Sequence, residues 1–424
     1  MARVEEKSGE AAGDVAPQRV RVTGDLRRLL WSLLVANFSV FIIWGSVPTI
    51  LLAFQVQDAD PSRKAVNLAL ITAIGALCAM IAQPIAGMIS DRTRSRFGRR
   101  ARWMVAGALV GGLALVGMGL ATTIVQLLIG WIIVQVAYNF AQGPLSAIMP
   151  DRTPTAVRGT FSAFAGIGLM VGSVAGQIVG STLAGHIFGA YLLMAGLALV
   201  VLVLFVVFNP DADNRGEPRP RFALGDFLRT FWVSPRQHPD FFWGFTGRLL
   251  LYVGYFLISG YLLFILEDYI GLGSAGVGWI PFLGAATLVG IVASIAIAGP
   301  LSDRLQRRKI FVIVAAILVA VALAIPFISP TLPAMFVFAF ISGLGFGAYQ
   351  AVDTALVSEV LPARDSFAKD LGIVNVAQTL PQTVAPALAG TVVVLFHGYA
   401  ALFPIGAVVV LLGAAAILPI RAVR

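Results

Sequence analysis

Gly87-Met88-Ile89-Ser90-Asp91-Arg92 and Gly299-Pro300-Leu301-Ser302-Asp303-Arg304 are two copies of one pattern, 212 residues apart in a chain of 424. Each copy closes a long apolar run and opens a burst of arginines. A sequence that repeats itself at half its own length points to duplication, and a duplicated chain that crosses a membrane many times points to a transporter. Two further landmarks keep the register: Pro150 matches Pro362 at the same offset, and His186 lies 211 residues before His397.

Outward from these loops, the chain is too apolar to coat a soluble globule: 58% of its residues are hydrophobic, 12% are charged, and its mean hydropathy is +0.88. Twelve apolar runs approach the length that crosses a hydrocarbon layer as a helix, near residues 29–54, 66–89, 103–124, 127–149, 159–184, 187–208, 241–266, 276–300, 309–330, 332–360, 371–396 and 399–420. The expected fold is all-α: a polytopic membrane protein whose twelve transmembrane helices form two pseudo-symmetric six-helix bundles. The expected division is a disordered tail over 1–28, a first bundle over 29–208, a linker over 209–240 and a second bundle over 241–424. An even number of spans per half inserts both halves in the same direction, around a cavity at mid-depth.

Charge sets the topology. With both termini inside, 27 of the 30 Lys and Arg residues fall in cytoplasmic segments, Arg63 and Lys64 fall outside, and Arg248 lies within a span. The net charge of +9 is therefore a topology signal rather than a nucleic-acid footprint, and a multi-pass cell-membrane protein is expected. Residues 1–28 lack the apolar core of a signal peptide. The one cysteine, Cys78, falls mid-span and reads as a packing residue, so neither an intrachain disulfide nor a cysteine metal site arises. No metal and no cofactor are expected. The three histidines, His186, His238 and His397, are scattered and show no metal-ligand spacing, and no phosphate-binding Gly-rich Lys-Ser/Thr loop occurs, which argues against an enzyme and against direct ATP drive.

The signature after the second span, with Gly87, Asp91 and Arg92 followed by Gly98, Arg99 and Arg100, resembles that of the major facilitator superfamily. The longer run from Asp91 to Arg100, with Pro150-Asp151 and Arg158-Gly159 after the fourth span, is similar to the glycoside-pentoside-hexuronide:cation and sucrose:proton symporter branch. Gly299, Asp303 and Arg304 repeat the signature more weakly, with Gln306 where the family often has Gly. The resemblance implies alternating access by two rocking halves. Melibiose-type members hold sodium with carboxylates inside spans two and four; neither span here has an internal Asp or Glu, so that design does not carry over. A Gly-Pro-x-x-Gly-Gly element like that of drug:proton antiporters is also missing from the fifth span.

A carboxylate at Asp91 can face the positive N-terminal end of a helix from the other half, while Arg99 and Arg100 reach carboxylates or C-terminal carbonyls. Such contacts would latch the cytoplasmic ends of the halves together, and Asp303 would act likewise from the second half. The alternative is that the arginines only fix topology. In the fifth span, Gly168, Gly172, Gly176 and Gly180 form a small-residue ladder, and the family arrangement puts helix 8 beside it.

Charges inside spans cost roughly 2.5 to 3.5 kcal/mol each, so a retained one has a task. Arg248 and Asp353 sit at matching depth in the seventh and tenth spans and are the expected proton-coupling pair; a permanent structural ion pair is the alternative. Neutral polar and aromatic residues form stripes at helical spacing: Asn37 and Trp44; Gln135, Tyr138, Asn139 and Gln142; Tyr252, Tyr255 and Ser259; Tyr349 and Gln350; Asn375, Gln378 and Gln382. Amides, hydroxyls and rings without fixed charge suit a polyhydroxylated neutral solute. The expectation is a monomeric secondary transporter moving a sugar or glycoside with protons among membrane lipids. A proton-coupled exporter of a small apolar metabolite or drug is the second reading, and a polytopic membrane enzyme the third.

Overall fold

A computed structural model describes residues 23–154, 157–216, 239–305, 307–360, 380–381 and 384–420. Among the described residues there is no strand, and twelve apolar helices carry the chain. They are α1 (Gly24–Ala59), α2 (Lys64–Arg92), α3 (Ala101–Gly119), α4 (Ile124–Arg152), α5 (Arg158–Thr182), α6 (Ile187–Phe208), α7 (Pro239–Ser259), α8 (Ile280–Leu305), α9 (Arg308–Ile328), α10 (Leu332–Val360), α11 (Val384–Leu395) and α12 (Leu402–Ile417). The first ten are long and apolar enough to cross a membrane, and the last two are shorter. Large apolar side chains such as Leu113, Val207, Phe282 and Ile297 lie more than half exposed, as a lipid-facing surface requires.

Packing repeats with the sequence. In the first set α3 packs on α4 and α6, α2 on α4, and α1 on α6; in the second, α9 packs on α10 and α12, α8 on α10, and α7 on α12. Adding six to each label converts one pattern into the other. The first helix of each set is also interrupted at matching places. In α1 the hydrogen bonding widens over Val47–Leu51, where Pro48 lacks the N–H that a regular ladder needs. In α7 the helix stops at Ser259, which is 212 residues beyond Val47. The run expected over 241–266 is thus broken: Gly260 and Tyr261 turn, and Leu262–Phe264 and Ile265–Tyr269 carry the chain onward.

The glycine ladder of α5 has a different partner from the one expected. An added Cβ at Gly172 would lie 2.6 Å from the Phe38 carbonyl oxygen, and one at Gly180 would lie 2.5 Å from Ser46 Oγ. Gly168 and Gly176 press in the same way on the carbonyls of Leu34 and Ile42. The ladder therefore seats α1, within the same set, while another part of α5 meets α8 through Gln177 against Gly284. Bilayer-embedded helices gain little from hydrophobic exclusion of one another, so close backbone approach and dispersion contacts hold this pair.

At the arginine-rich end, Gly98 has φ +78°, a conformation that L side chains rarely adopt. The turn it permits lets Asn214 bridge back, its Oδ1 accepting from the Ser95 N–H at 2.9 Å and its Nδ2 donating to the Thr93 carbonyl at 3.0 Å.

Candidate functional site

The two sets of helices meet at the end opposite the arginines. Lys64, at the start of α2, forms an ion pair of 2.8 Å with Asp268 beyond α7, and its Nζ stands 4.8 Å from the Phe264 ring centroid. It also donates to Gln57 Oε1 at 3.1 Å. The Tyr261 hydroxyl donates to the Ala65 carbonyl at 2.9 Å, and Gly390 of α11 lies so close to Ala69 of α2 that no side chain would fit between them. Glu267 is buried beside these groups. Desolvation pushes its carboxyl above the ordinary carboxylate range, against the lowering effects of the Gln57 hydrogen bond and the Lys64 charge. Asp268 also faces Tyr399. A short segment after α7 thereby closes on the ends of α1 and α2.

Sequence alone does not reveal this closure, because there Lys64 reads only as one of two basic residues outside. The available signal was Glu267-Asp268, adjacent acids at a span's end on the side that holds almost no cations.

Expected cavity residues gather in two clusters. Between α1 and α4, Trp44 Nε1 donates to Gln142 Oε1 at 3.2 Å, and its ring stands edge-on to Trp131 and Tyr138 at 6.0 and 6.4 Å. Tyr138 is fully buried against Gly111, and Gln135 and Asn139 are buried, with the Asn139 amide turned back to the Gln135 carbonyl at 2.7 Å. Asn37 likewise bonds its own helix at Leu33. Between α7 and α10, the Tyr252 hydroxyl donates to Gln350 Oε1 at 2.8 Å, Tyr255 stacks on Phe346 at 4.0 Å, and Tyr349 is buried edge-on to Tyr252. Ser259 donates to the Phe256 carbonyl of its own helix. Asn375, Gln378 and Gln382 lie outside the described residues.

Arg248 is 5% exposed, with its guanidinium 5.7 Å from the Tyr252 ring centroid. Asp353 is placed by its helix position: Tyr252 is one turn beyond Arg248 on α7, and Gln350 is three residues before Asp353 on α10. The Tyr252–Gln350 bond thus clamps the two helices within one turn of both positions along the chain. Their counterparts 212 residues earlier, Ala36 and Ala141, are both fully buried, so the equivalent positions in the first set are packed interior.

Arg99 and Arg100 of the signature form ion pairs within the first set. Arg100, nearly buried, reaches Asp151 at the end of α4 through Nε at 2.7 Å and Asp91 through NH2 at 3.3 Å; Arg99 reaches Asp151 at 2.8 Å. Arg152 pairs with Asp211 at 2.7 Å. Gly87 has open space around it, and Arg304 is exposed. Gly299 and Asp303 are placed by their positions near the end of α8. Because Arg100 serves two carboxylates from a buried position, Arg100→Gln is expected to destabilise the fold by about 2 kcal/mol, a value discounted for the partial exposure of both acids. Thermal unfolding of the purified protein checks this, and Arg99→Gln should cost less than half as much. Equal losses would show that the buried clamp has no special weight.

A model of the Major Facilitator Superfamily matches residues 29–296 and 244–424. The chain is 25% identical over 225 residues to the General alpha-glucoside permease of Schizosaccharomyces pombe, covering 47% of this chain and 40% of that protein. It is 31% identical over 128 residues to the Sucrose transport protein SUC4 of Arabidopsis thaliana, covering 25% of each. It is 35% identical over 123 residues to the D-xylose transporter of Levilactobacillus brevis, covering 29% and 26%. The matches thus span less than half of each of these relatives. Among solved structures, the nucleoside transporter NupG superposes with a TM-score of 0.72 at 16% identity over 92% of this chain and 98% of that one. A bacterial homolog of the human lysosomal transporter Spinster, inward-facing and unoccupied, gives 0.68 at 15% over 92% and 94%.

Proposed function

From the premise that the chain belongs to the Major Facilitator Superfamily, we propose that it is a secondary active transporter that moves a neutral sugar or glycoside together with protons by alternating access. The halves are residues 29–208 and 241–424, joined by 209–240, with both termini and the tail 1–28 on the cytoplasmic side of the cell membrane. The observation that carries the coupling is Arg248, a cation buried inside a membrane helix at the level of Asp353 and tied to α10 through Tyr252. The Trp44–Gln142 and Tyr252–Gln350 pairs supply rings and amides for a polyhydroxylated solute, and relatives named for alpha-glucosides, sucrose and D-xylose support that class.

The test is uptake by proteoliposomes with an imposed pH gradient and a panel of labelled mono- and disaccharides. Accumulation above the external level, abolished by a protonophore, is expected for at least one. No sugar flux, with extrusion of a hydrophobic dye, would replace this reading with the exporter.

In this reading the conformer is closed outside, with Lys64–Asp268 as the outer gate, and the latch of Asp91 and Asp303 belongs to the opposite conformer. Lys64→Gln is expected to favour outward opening by about 1 kcal/mol, roughly fivefold in population. Labelling of a cysteine placed at Ala69, in a Cys78→Ala background, by an impermeant maleimide reads the shift. An unchanged labelling rate would remove the gate. Burial raises the Glu267 carboxyl in the closed state, and opening returns it toward the ordinary range, so the closed gate binds the proton more tightly. Acidification from neutral pH should therefore slow the labelling, and Glu267→Gln should weaken that dependence.

A further inference from the structure

The lipid-facing surface at the arginine-rich end carries a groove of about 370 Å³ between α3 and α4, lined by Trp103, Ala106, Val110, Ile133, Val136 and Phe140 among others. Its middle is open to the bilayer, with Val110 and Ile133 nearly half exposed, and its arginine-end wall is the Trp103–Phe140 ring pair at 5.5 Å. Gly107 lets α3 approach the α4 backbone closely enough to form the floor, since an added Cβ would stand 2.5 Å from the Ala137 carbonyl oxygen. Such a trough, about two helical turns long, accepts an alkyl chain and offers nothing to a polar solute.

Its mouth is cationic. Arg102 is one turn before Ala106 and two before Val110, so it extends the lining stripe of α3 to the membrane surface. Arg96 and Arg102 both stand over the ring of Phe97, at 4.6 and 5.8 Å, and Phe97 itself is half exposed. Two guanidiniums on one exposed ring repel each other. Among the described residues neither has a carboxylate within ion-pair distance, while Arg99, Arg100 and Arg152 nearby each have one. An anion between them would relieve that repulsion, and fork-shaped donors suit phosphate oxygens. Trp103 is an amphipathic ring at the boundary, its indole N–H donating to Thr93 Oγ1 at 2.7 Å.

We propose that this groove is a binding site for an anionic phospholipid, with one acyl chain between α3 and α4 and the phosphate held by Arg96 and Arg102. Basic clusters beside apolar grooves on the cytoplasmic side select acidic headgroups through charge, while the chain contributes by burial. The site is on the outer surface of the first bundle, apart from the proposed solute path, and does not depend on which solute is carried.

The full chain is reconstituted in phosphatidylcholine vesicles containing a small fraction of brominated phosphatidylglycerol or, separately, brominated phosphatidylcholine. The Trp103 share of the fluorescence is obtained by difference with Trp103→Phe. Quenching by the brominated phosphatidylglycerol at least threefold above that of the zwitterionic lipid is expected, and Arg96→Gln with Arg102→Gln should remove the difference. Ala106→Leu, which fills the trough, should reduce quenching by either lipid. Equal quenching by both lipids in the parent protein, or an undiminished preference in the double variant, overturns the proposal. Should Trp103→Phe fail to fold, phosphatidylglycerol retained per purified chain, measured by mass spectrometry, gives the same decision: it must fall in the double variant.

Discussion

Gly172→Leu is expected to destabilise the protein by more than about 3 kcal/mol and to reduce the yield of folded material several-fold, while Gly166→Leu on the same helix leaves both near the parent values. The two substitutions are chemically identical and differ only in what they meet. A Cβ at Gly172 comes within 2.6 Å of the Phe38 carbonyl oxygen and 3.0 Å of its Cα, so backbone must move against backbone. A Cβ at Gly166 meets nothing within 4 Å. The damage cannot be absorbed locally, because Gly168, Gly176 and Gly180 fix the same approach over three further turns, and Gly45 of α1 presses reciprocally on Ser173. Thermal midpoints in detergent, with the monodisperse fraction after solubilisation, measure both variants. Equal tolerance would mean that α1 and α5 separate at little cost.

The ladder also marks where sequence reasoning stops. Four glycines at spacing four announce a face that a backbone will approach, and that much was legible. Which backbone covers it depends on the order of helices around the bundle, and periodicity within one helix carries no such information; the resemblance pointed to helix 8, but α1 lies there. The repeat was more informative, because an offset relates distant segments. It matches the packing of α1–α6 to that of α7–α12 and puts the interruption of α1 at Val47 in register with the end of α7 at Ser259. That α7 ends there was not legible, since no charged residue interrupts the run from Leu249 through Leu266 and only Ser259 and Gly260 mark the break. Within the polar stripes, spacing carries no information on the use of each group: Asn37, Asn139 and Ser259 spend hydrogen bonds on their own helices, whereas Trp44, Gln142, Tyr252 and Gln350 join helices to each other.

Asp353→Asn is expected to abolish uphill accumulation while leaving exchange of solute across the membrane intact. A charge deep in a span is disfavoured by roughly 2.5 to 3.5 kcal/mol, and the second half retains two where the first half has Ala36 and Ala141. Both alanines are fully buried and Arg248 is 5% exposed, so water does not relieve this cost by solvating the guanidinium. In the proposed coupling, Asp353 at the same level would offset it, and the Tyr252–Gln350 bond holds α7 and α10 together there. If protonation of Asp353 releases Arg248 during the cycle, an amide imitates the protonated state permanently: the carrier still rocks and binds, but no proton is bound or released. One proton moving down one pH unit supplies about 1.4 kcal/mol, enough for roughly tenfold accumulation. Asp353→Asn should bring that ratio to one under the same gradient while equilibrium counterflow proceeds at a rate within a few-fold of the parent. A permanent structural pair predicts otherwise: counterflow and folding would fail together, and Arg248→Gln combined with Asp353→Asn would restore both, because two neutral amides leave no charge to compensate. Full accumulation by Asp353→Asn would move coupling away from α10 altogether, and Glu267 at the outer gate, buried and with its carboxyl raised by desolvation, would be the next group to titrate.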